Sequence, residues 1–345
     1  MPKMFTFDPA DYAATFAAQD YVHIPQGLTE EYYKIVCAQV EEYQRTHVLK
    51  NFAIGDKQQA LYQFPQDQDY VGEFLRMAGG VSGYEPTELV ISERHIKAYE
   101  ADAVSYPLAH KDRHATELAI GFAVRVPKGS TLVLYPQDER EENPFNSSTE
   151  WRASIDPQRL PEVTLKDAQR IEIQDGPRDV MIFRGRSIWH MREHPAHTVM
   201  LYFKLNAFNS DPLGEDPRSP AWRSRTLKLL KDPDPEVALT IPILGRRVDY
   251  VQRRWNREWQ EIAGVVLYGE KHFTIDAVEF AALRAMDGRR SLRDVAEAVA
   301  GKEQLAEVYH KVRRLAARGI VDLLPVPAPD SRRHGTIRKA ALAGS

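Results

Sequence analysis

Cysteine is nearly absent: the 345-residue chain has one, Cys37. A lone thiol cannot close an intrachain disulfide, build a cysteine-rich zinc site or hold an iron–sulfur cluster. Any metal must therefore be held by the 11 histidines and the carboxylates. Long apolar runs are missing too. None approaches the roughly 18–20 residues that span a bilayer, and the opening MPKMFTFDPADYAATFAAQD has no signal-peptide core. Neither sign of charge dominates, with Lys plus Arg at 46, Asp plus Glu at 49 and a formal net charge of -3. Wrapping nucleic acid needs a strong basic excess, so that class is disfavoured. These absences lead us to expect a cytoplasmic protein with no membrane partner, a reduced thiol fitting that compartment.

What is present suits a globular chain. A hydrophobic fraction of 43% and a charged fraction of 28% are ordinary for a folded core, and the length suggests about two domains. Tyr21-Val22-His23-Ile24-Pro25 alternates like a strand. Thr29-Glu30-Glu31 opens a helix expected to run to about Thr46, with Thr29 as N-cap. A second helix is expected over 66–80, stopped by Gly79-Gly80. From residue 88 the period changes to two. Strands are expected over 89–91, 95–99, 117–126, 130–135, 170–173, 179–184, 187–190 and 198–206, with a polar insertion at 136–162. Many short strands with Gly/Pro turns predict a jelly roll or barrel.

The three prolines of 209–220 mark a linker. Three helices (277–286, 292–299, 305–317) and a strand (320–324) follow. The expected layout is a β-barrel domain over 1–208, a linker and helical connection over 209–264, a small helical domain over 265–326, and a mobile tail over 327–345.

The chemistry points to Ala109-His110-Lys111-Asp112, just before a strand, and to Ser187-Ile188-Trp189-His190, just after a turn. A His and an Asp two apart in an extended segment share a face. The 78 residues from 112 to 190 allow the chain to return to the same end of a barrel. Two imidazoles and one carboxylate on one face of an octahedral ion leave three positions open, which suits non-haem Fe(II). His114, His194 and His197 are rival ligands.

These motifs, with the opening helix after Tyr-Val-His-Ile-Pro and the run Gly176-Pro177-Arg178-Asp179-Val180-Met181-Ile182-Phe183 leading to Trp189-His190, make residues 15–208 resemble an Fe(II)/2-oxoglutarate-dependent oxygenase of the phytanoyl-CoA dioxygenase-like branch. The resemblance implies a mainly β fold with flanking helices, a double-stranded β-helix (jelly-roll, cupin-like). It implies Fe(II) held by His110, Asp112 and His190, with 2-oxoglutarate as co-substrate and dioxygen as oxidant. Halogenases of the family replace the acid by Gly or Ala; with Asp112 present, hydroxylation is expected. Family members place an Arg about ten residues beyond the distal His, a planar bidentate donor for the 2-oxoglutarate carboxylate. No Arg lies between Glu193 and Leu205 here. The candidate cations are Arg125, 15 residues beyond His110, Lys204, 14 beyond His190, and Lys97 on the strand before the motif.

Arg113, Trp189, Tyr62 and Trp151 are candidate pocket residues, and the insertion is where substrate choice would reside. Arg246, Arg247, Arg253 and Arg254 suggest a basic face. The segment Phe273–Leu324 resembles a winged helix, a module that some Jumonji-type ribosomal-protein hydroxylases carry at the C-terminus and that resembles leader-peptide-binding domains of peptide-modifying pathways. Three functions stay open: a hydroxylase of a small molecule, such as one of a natural-product pathway; a protein or peptide hydroxylase docking its substrate on the C-terminal domain; and a non-catalytic cupin-like sensor. A homodimer is also left open.

Overall fold

The computed structural model describes residues 3–52, 55–106, 108–136, 141–268, 271–301 and 303–325. The tail expected over 327–345 lies outside the described residues. The chain divides into two compact units, the first ending at Pro217 and the second beginning at Arg218.

The first unit runs α1 (Ala10–Gln19), β1 (Tyr21–Ile24), α2 (Glu30–Arg45), β2 (Lys50–Phe52), β3 (Lys57–Leu61), α3 (Tyr70–Ser82), β4 (Val90–Tyr99), β5 (Leu118–Arg125) and β6 (Thr131–Tyr135). It continues through α4 (Ser148–Ser154), α5 (Pro161–Thr164), β7 (Ile171–Ile173), β8 (Val180–Phe183), β9 (Trp189–Glu193) and β10 (Val199–Asn206). A large antiparallel sheet has the order β1-β8-β5-β10-β4-β3-β2, and a small one the order β7-β6-β9. From β5 onward the chain passes back and forth between the two sheets, with β5, β8 and β10 in the large one and β6, β7 and β9 in the small one, which is the winding of a jelly roll. The large sheet's outer face packs against α2 and α3. Phe74, Phe122 and Phe203 meet there with ring centroids 4.4–6.1 Å apart.

Local chemistry explains the elements. Thr29 caps α2 by accepting the Tyr32 N–H, as expected. The second helix differs from expectation: it runs through Gly79-Gly80 and ends at Gly83, whose φ of 80° is left-handed. The two inner glycines allow close approach instead. A Cβ on Gly79 would stand 2.7 Å from the Tyr84 carbonyl, and one on Gly80 would stand 2.8 Å from Pro9. The two strands expected over 89–99 are one, β4.

The stretch expected to be a linker behaves differently as well. β3 covers β4 only from His95 to Tyr99, so the edge of β4 is open before that. Carboxylates of 209–217 close it: Asp216 accepts the Ile91 N–H at 3.1 Å and Glu215 accepts the Arg94 N–H at 3.1 Å. Those residues are part of the first unit. The polar insertion carries α4, whose Trp151 is buried and stacked on Trp189 at 5.1 Å.

The second unit runs α6 (Ser219–Leu229), α7 (Asp234–Val237), β11 (Ile241–Leu244), β12 (Val248–Trp255), β13 (Glu261–Tyr268), β14 (Lys271–Ile275), α8 (Ala277–Ala285), α9 (Leu292–Ala300), α10 (Leu305–Arg318) and β15 (Val321–Leu324). The three expected helices and the last strand are present. Capping boxes start α8 (Asp276 with Glu279) and α9 (Ser291 with Asp294), and Gly319 at φ 86° ends α10. Within the linker and helical connection expected over 209–264, the structure has strands as well as helices: β11 pairs with β15, and β12 and β13 form a hairpin that β14 extends. Asn256 makes that hairpin turn by accepting the N–H groups of Glu258 and Gln260. Val248, Val266 and Ile275 of this sheet join the core of α8–α10.

Candidate metal centre

His110 and Asp112 precede β5, and His190 lies on β9. The main chains of His110 and His190 exchange two hydrogen bonds, at 3.0 and 2.9 Å, in an isolated antiparallel bridge. The Asp112 N–H donates to the Gly185 carbonyl at 2.8 Å. Two segments 78 residues apart are thereby clamped together, and one ligating atom from each of His110, Asp112 and His190 lies within 4.8 Å of the others. His190 Nε2 stands 3.7 Å from Asp112 Oδ2, and the two imidazole centroids are 4.4 Å apart.

The surroundings prepare these groups for a cation. His110 Nδ1 is 3.0 Å from the Leu108 carbonyl, and His190 Nδ1 is 2.9 Å from the Ile188 carbonyl. A carbonyl only accepts, so each Nδ1 carries the proton and each Nε2 keeps its lone pair. Burial lowers the pKa of His110 to about 3, with the His190 ring adding to the effect. Burial, then the Lys204 and Lys97 charges, lowers that of His190. Both rings are therefore neutral at pH 7, the ligating form. Burial opposes ionisation of Asp112, but the Lys204 ammonium and the imidazoles outweigh it and hold the carboxyl below its ordinary value. Gly185 leaves space for that carboxylate, because a Cβ there would stand 2.5 Å from Asp112 Oδ2. Two neutral imidazoles, one carboxylate and a cradle that a side chain would fill fit a divalent transition metal.

Of the three candidate cations, the structure brings two to the site and leaves one outside it. Lys204, on β10, contacts Asp112 directly. Lys97, on β4, faces the same interior, paired in register with Met200. Arg125 is not brought to the triad. A register shift between Val199 and Met200 leaves it exposed at the end of β5, with its charge acting on Tyr33 and Cys37 of α2. The rival histidines also lie elsewhere. His114 packs on Phe208 at 4.6 Å, and His194 and His197 take positive φ in the β9–β10 turn.

Among the pocket candidates, Arg113 pairs with Glu93 at 2.9 Å beside the site. Tyr62 is a correction: it is fully buried on the helix side, hydrogen-bonded to Tyr32 at 2.7 Å. Trp189 and Trp151 pack together under the Lys111 ammonium. Trp189 adjoins His190 on β9, and adjacent strand residues point to opposite faces. Arg246 is buried over the Trp222 ring at 4.0 Å rather than on a basic face.

Several interior residues escaped sequence reasoning. Arg192 shares the His190 face of β9 and forms a buried pair with Asp175 at 2.6 Å. Its position two residues beyond His190 on a strand is the signal that could have found it. His95 lies between Glu93, at 3.6 Å, and Glu215, at 2.8 Å. Burial works against the His95 cation, but these two acids outweigh it and raise its pKa. Tyr202 lies across β5, where a Cβ on Gly121 would stand 3.2 Å from its ring. Lys57, on β3, was also missed.

No family model and no curated sequence matches the chain. Solved structures do. The non-haem α-ketoglutarate-dependent carbocyclase SnoK from nogalamycin biosynthesis is 16% identical, covering 59% of this chain and 87% of its own at a TM-score of 0.44. A prolyl-4-hydroxylase from Pseudomonas putida is 13% identical, covering 57% of this chain and 98% of its own at a TM-score of 0.41. HygX from Streptomyces hygroscopicus, solved with nickel, 2-oxoglutarate and hygromycin B, is 10% identical, covering 58% and 87% at 0.40. These neighbours are 2-oxoglutarate-dependent oxygenases. Among the described residues, no helix is long and apolar enough to cross a membrane.

Proposed function

We propose that this chain is an Fe(II)- and 2-oxoglutarate-dependent oxygenase of the phytanoyl-CoA dioxygenase-like kind, hydroxylating a small-molecule substrate in the cytoplasm. One observation carries the reading: the convergence of His110, Asp112 and His190, with both Nε2 lone pairs available, on one wall of a jelly roll. Iron would be held by His110 Nε2, His190 Nε2 and the Asp112 carboxylate. Bound there with 2-oxoglutarate and dioxygen, it supplies the oxidising power for C–H hydroxylation.

The chain's own groups do the rest. The Leu108 and Ile188 carbonyls fix the imidazole planes. Lys204 keeps Asp112 ionised, and Lys204 and Lys97 bring positive charge for the co-substrate's carboxylates. Leu132, Leu134, Met181 and Phe183 line the barrel with apolar surface that excludes water.

Anaerobic addition of Fe(II) and 2-oxoglutarate tests the reading. The weak visible charge-transfer band of the chelate should appear with the wild-type protein. It should be lost in His110→Ala and Asp112→Ala, along with substrate-coupled succinate formation, while far-UV circular dichroism stays native. Full activity in both variants would overturn the ligand assignment.

A second reading makes a peptide the substrate, docked on a winged-helix-like second unit. The sheet β12-β13-β14 favours it, since its outer strands have no strand partner among the described residues. Removing residues from 218 onward would then abolish peptide turnover while leaving the metal centre loaded.

A further inference from the structure

Three lysines stand on neighbouring strands of the large sheet: Lys204 on β10, Lys97 on β4 and Lys57 on β3. Lys97 pairs in register with Gln59, and Lys57 with Tyr99, so Lys57 and Lys97 are diagonal neighbours on one face. Lys204 has Asp112. The Lys57 ammonium has no hydrogen-bond or ion-pair partner among the described residues. It lies over the rings of Phe52 at 5.4 Å and Tyr99 at 5.3 Å, and the residue is only 6% exposed.

The acids nearby are engaged elsewhere. Glu93 holds Arg113 at 2.9 Å, Glu215 holds His95 at 2.8 Å, and Asp112 holds Lys204. At longer range Asp112, and after it Asp56, favour the Lys57 cation, but burial and the two neighbouring lysines outweigh them. A buried ammonium without a counter-charge is costly. Burial, then repulsion from Lys97 and Lys204, pushes the Lys57 pKa down to about 7. An anion seated there would offset both costs.

We propose that Lys57, framed by Phe52 and Tyr99, seats an anionic group of the primary substrate, a carboxylate or a phosphate; this rests on the oxygenase reading above. Strand order argues for the primary substrate over the co-substrate. Lys204 touches a metal ligand, and Lys97 stands one strand away. Lys57 stands two strands away, about 10 Å at strand spacing. One co-substrate dianion is served by the nearer lysines. The farther one lies at the distance of a remote handle on a small molecule whose reacting carbon is at the metal. The substrate class is therefore an anionic small molecule.

Calorimetric titration of the full chain loaded with Ni(II), a redox-inert stand-in, tests this with two probes: 2-oxoglutarate, and inorganic phosphate at saturating 2-oxoglutarate. The wild type should bind phosphate. Lys57→Met should weaken phosphate by about tenfold or more and leave 2-oxoglutarate within about twofold, while Lys97→Met should weaken 2-oxoglutarate. Lys57→Arg, which keeps the charge, should retain phosphate and exclude misfolding as the cause. Equal weakening of both probes by Lys57→Met would hand the seat to the co-substrate and overturn the proposal. So would phosphate binding that is absent in the wild type or unchanged in Lys57→Met. Lys57-dependent phosphate binding in a chain that takes up neither Ni(II) nor 2-oxoglutarate would keep the seat and sink the oxygenase reading instead.

Discussion

On the outer face of the large sheet, Leu118, Ile120, Phe122, Leu201, Phe203 and Leu205 are fully buried against α2 and α3. On the inner face of the same central strands stand Glu93, His95, Lys97, Tyr202 and Lys204, with Gly121 where a side chain would crowd Tyr202. One face is an apolar core of interlocking rings. The other collects charge that burial disfavours, arranged beside a triad of metal-ligating side chains. The period-two alternation of β4, β5 and β10 assigns neighbouring residues to these opposed tasks. The outer face supplies the stability that the inner face costs.

The contrast breaks most sharply at Phe203. Its ring lies 4.4 Å from Phe74, 5.2 Å from Phe122, 5.5 Å from Phe64 and 5.9 Å from Tyr62. Phe203→Ala removes that hub and leaves a cavity, so a loss of about 3–5 kcal/mol is expected in denaturant unfolding of the first unit. The neighbour Lys204 faces the metal centre, so the same variant, where still folded, should keep Ni(II) binding. A loss below about 1 kcal/mol would mean that the outer face is not the stabilising one.

Lys57 tests the inner face with the opposite sign. Its pKa is about 7 in the folded chain against an ordinary 10.5. Below pH 7 both states carry the proton and the fold bears the full cost of the buried charge. Between pH 7 and about 10.5 the unfolded chain binds more protons at this site, so its contribution to stability rises with pH. Lys57→Met removes the group. Near pH 6.5 the variant should melt higher than the wild type, and the gap should close as pH rises toward 10. A variant that melts lower at pH 6.5 would show that Lys57 stabilises the fold.

How much of this was legible in the sequence depends on the range of the interaction. The strand alternation, the Thr29 cap and the helices of the second unit are local patterns, and they appear where expected. The histidine–aspartate pair and His190 were legible because each carries its own short context. Lys57, Glu215 and Arg192 were not. Lys57 meets Lys97 only because β3 lies beside β4 in the sheet order, and Glu215 reaches His95 only because it closes an open strand edge. The Gly79-Gly80 pair misled because glycine serves both to end a helix and to let another element approach it; only the packing against Pro9, Tyr84 and Pro86 decides between them.

Arg125 offers the smallest effect and the finest test of the two-face contrast. By strict alternation it should share the inner face with Ala119, Gly121 and Ala123. The register shift opposite Val199 and Met200 ends that alternation, and the guanidinium lies exposed near Tyr33 and Cys37 instead. Arg125→Ala should therefore change stability by no more than about 0.5 kcal/mol, as exposed substitutions do. 2-Oxoglutarate affinity of the Ni(II)-loaded chain should not move, whereas Lys204→Met, at an inner-face position on β10, should lower it. A tenfold loss of 2-oxoglutarate affinity in Arg125→Ala would mean that the strand end swings inward when the site is loaded, and that the boundary between the two faces is set by the ligand as well as by the pleat.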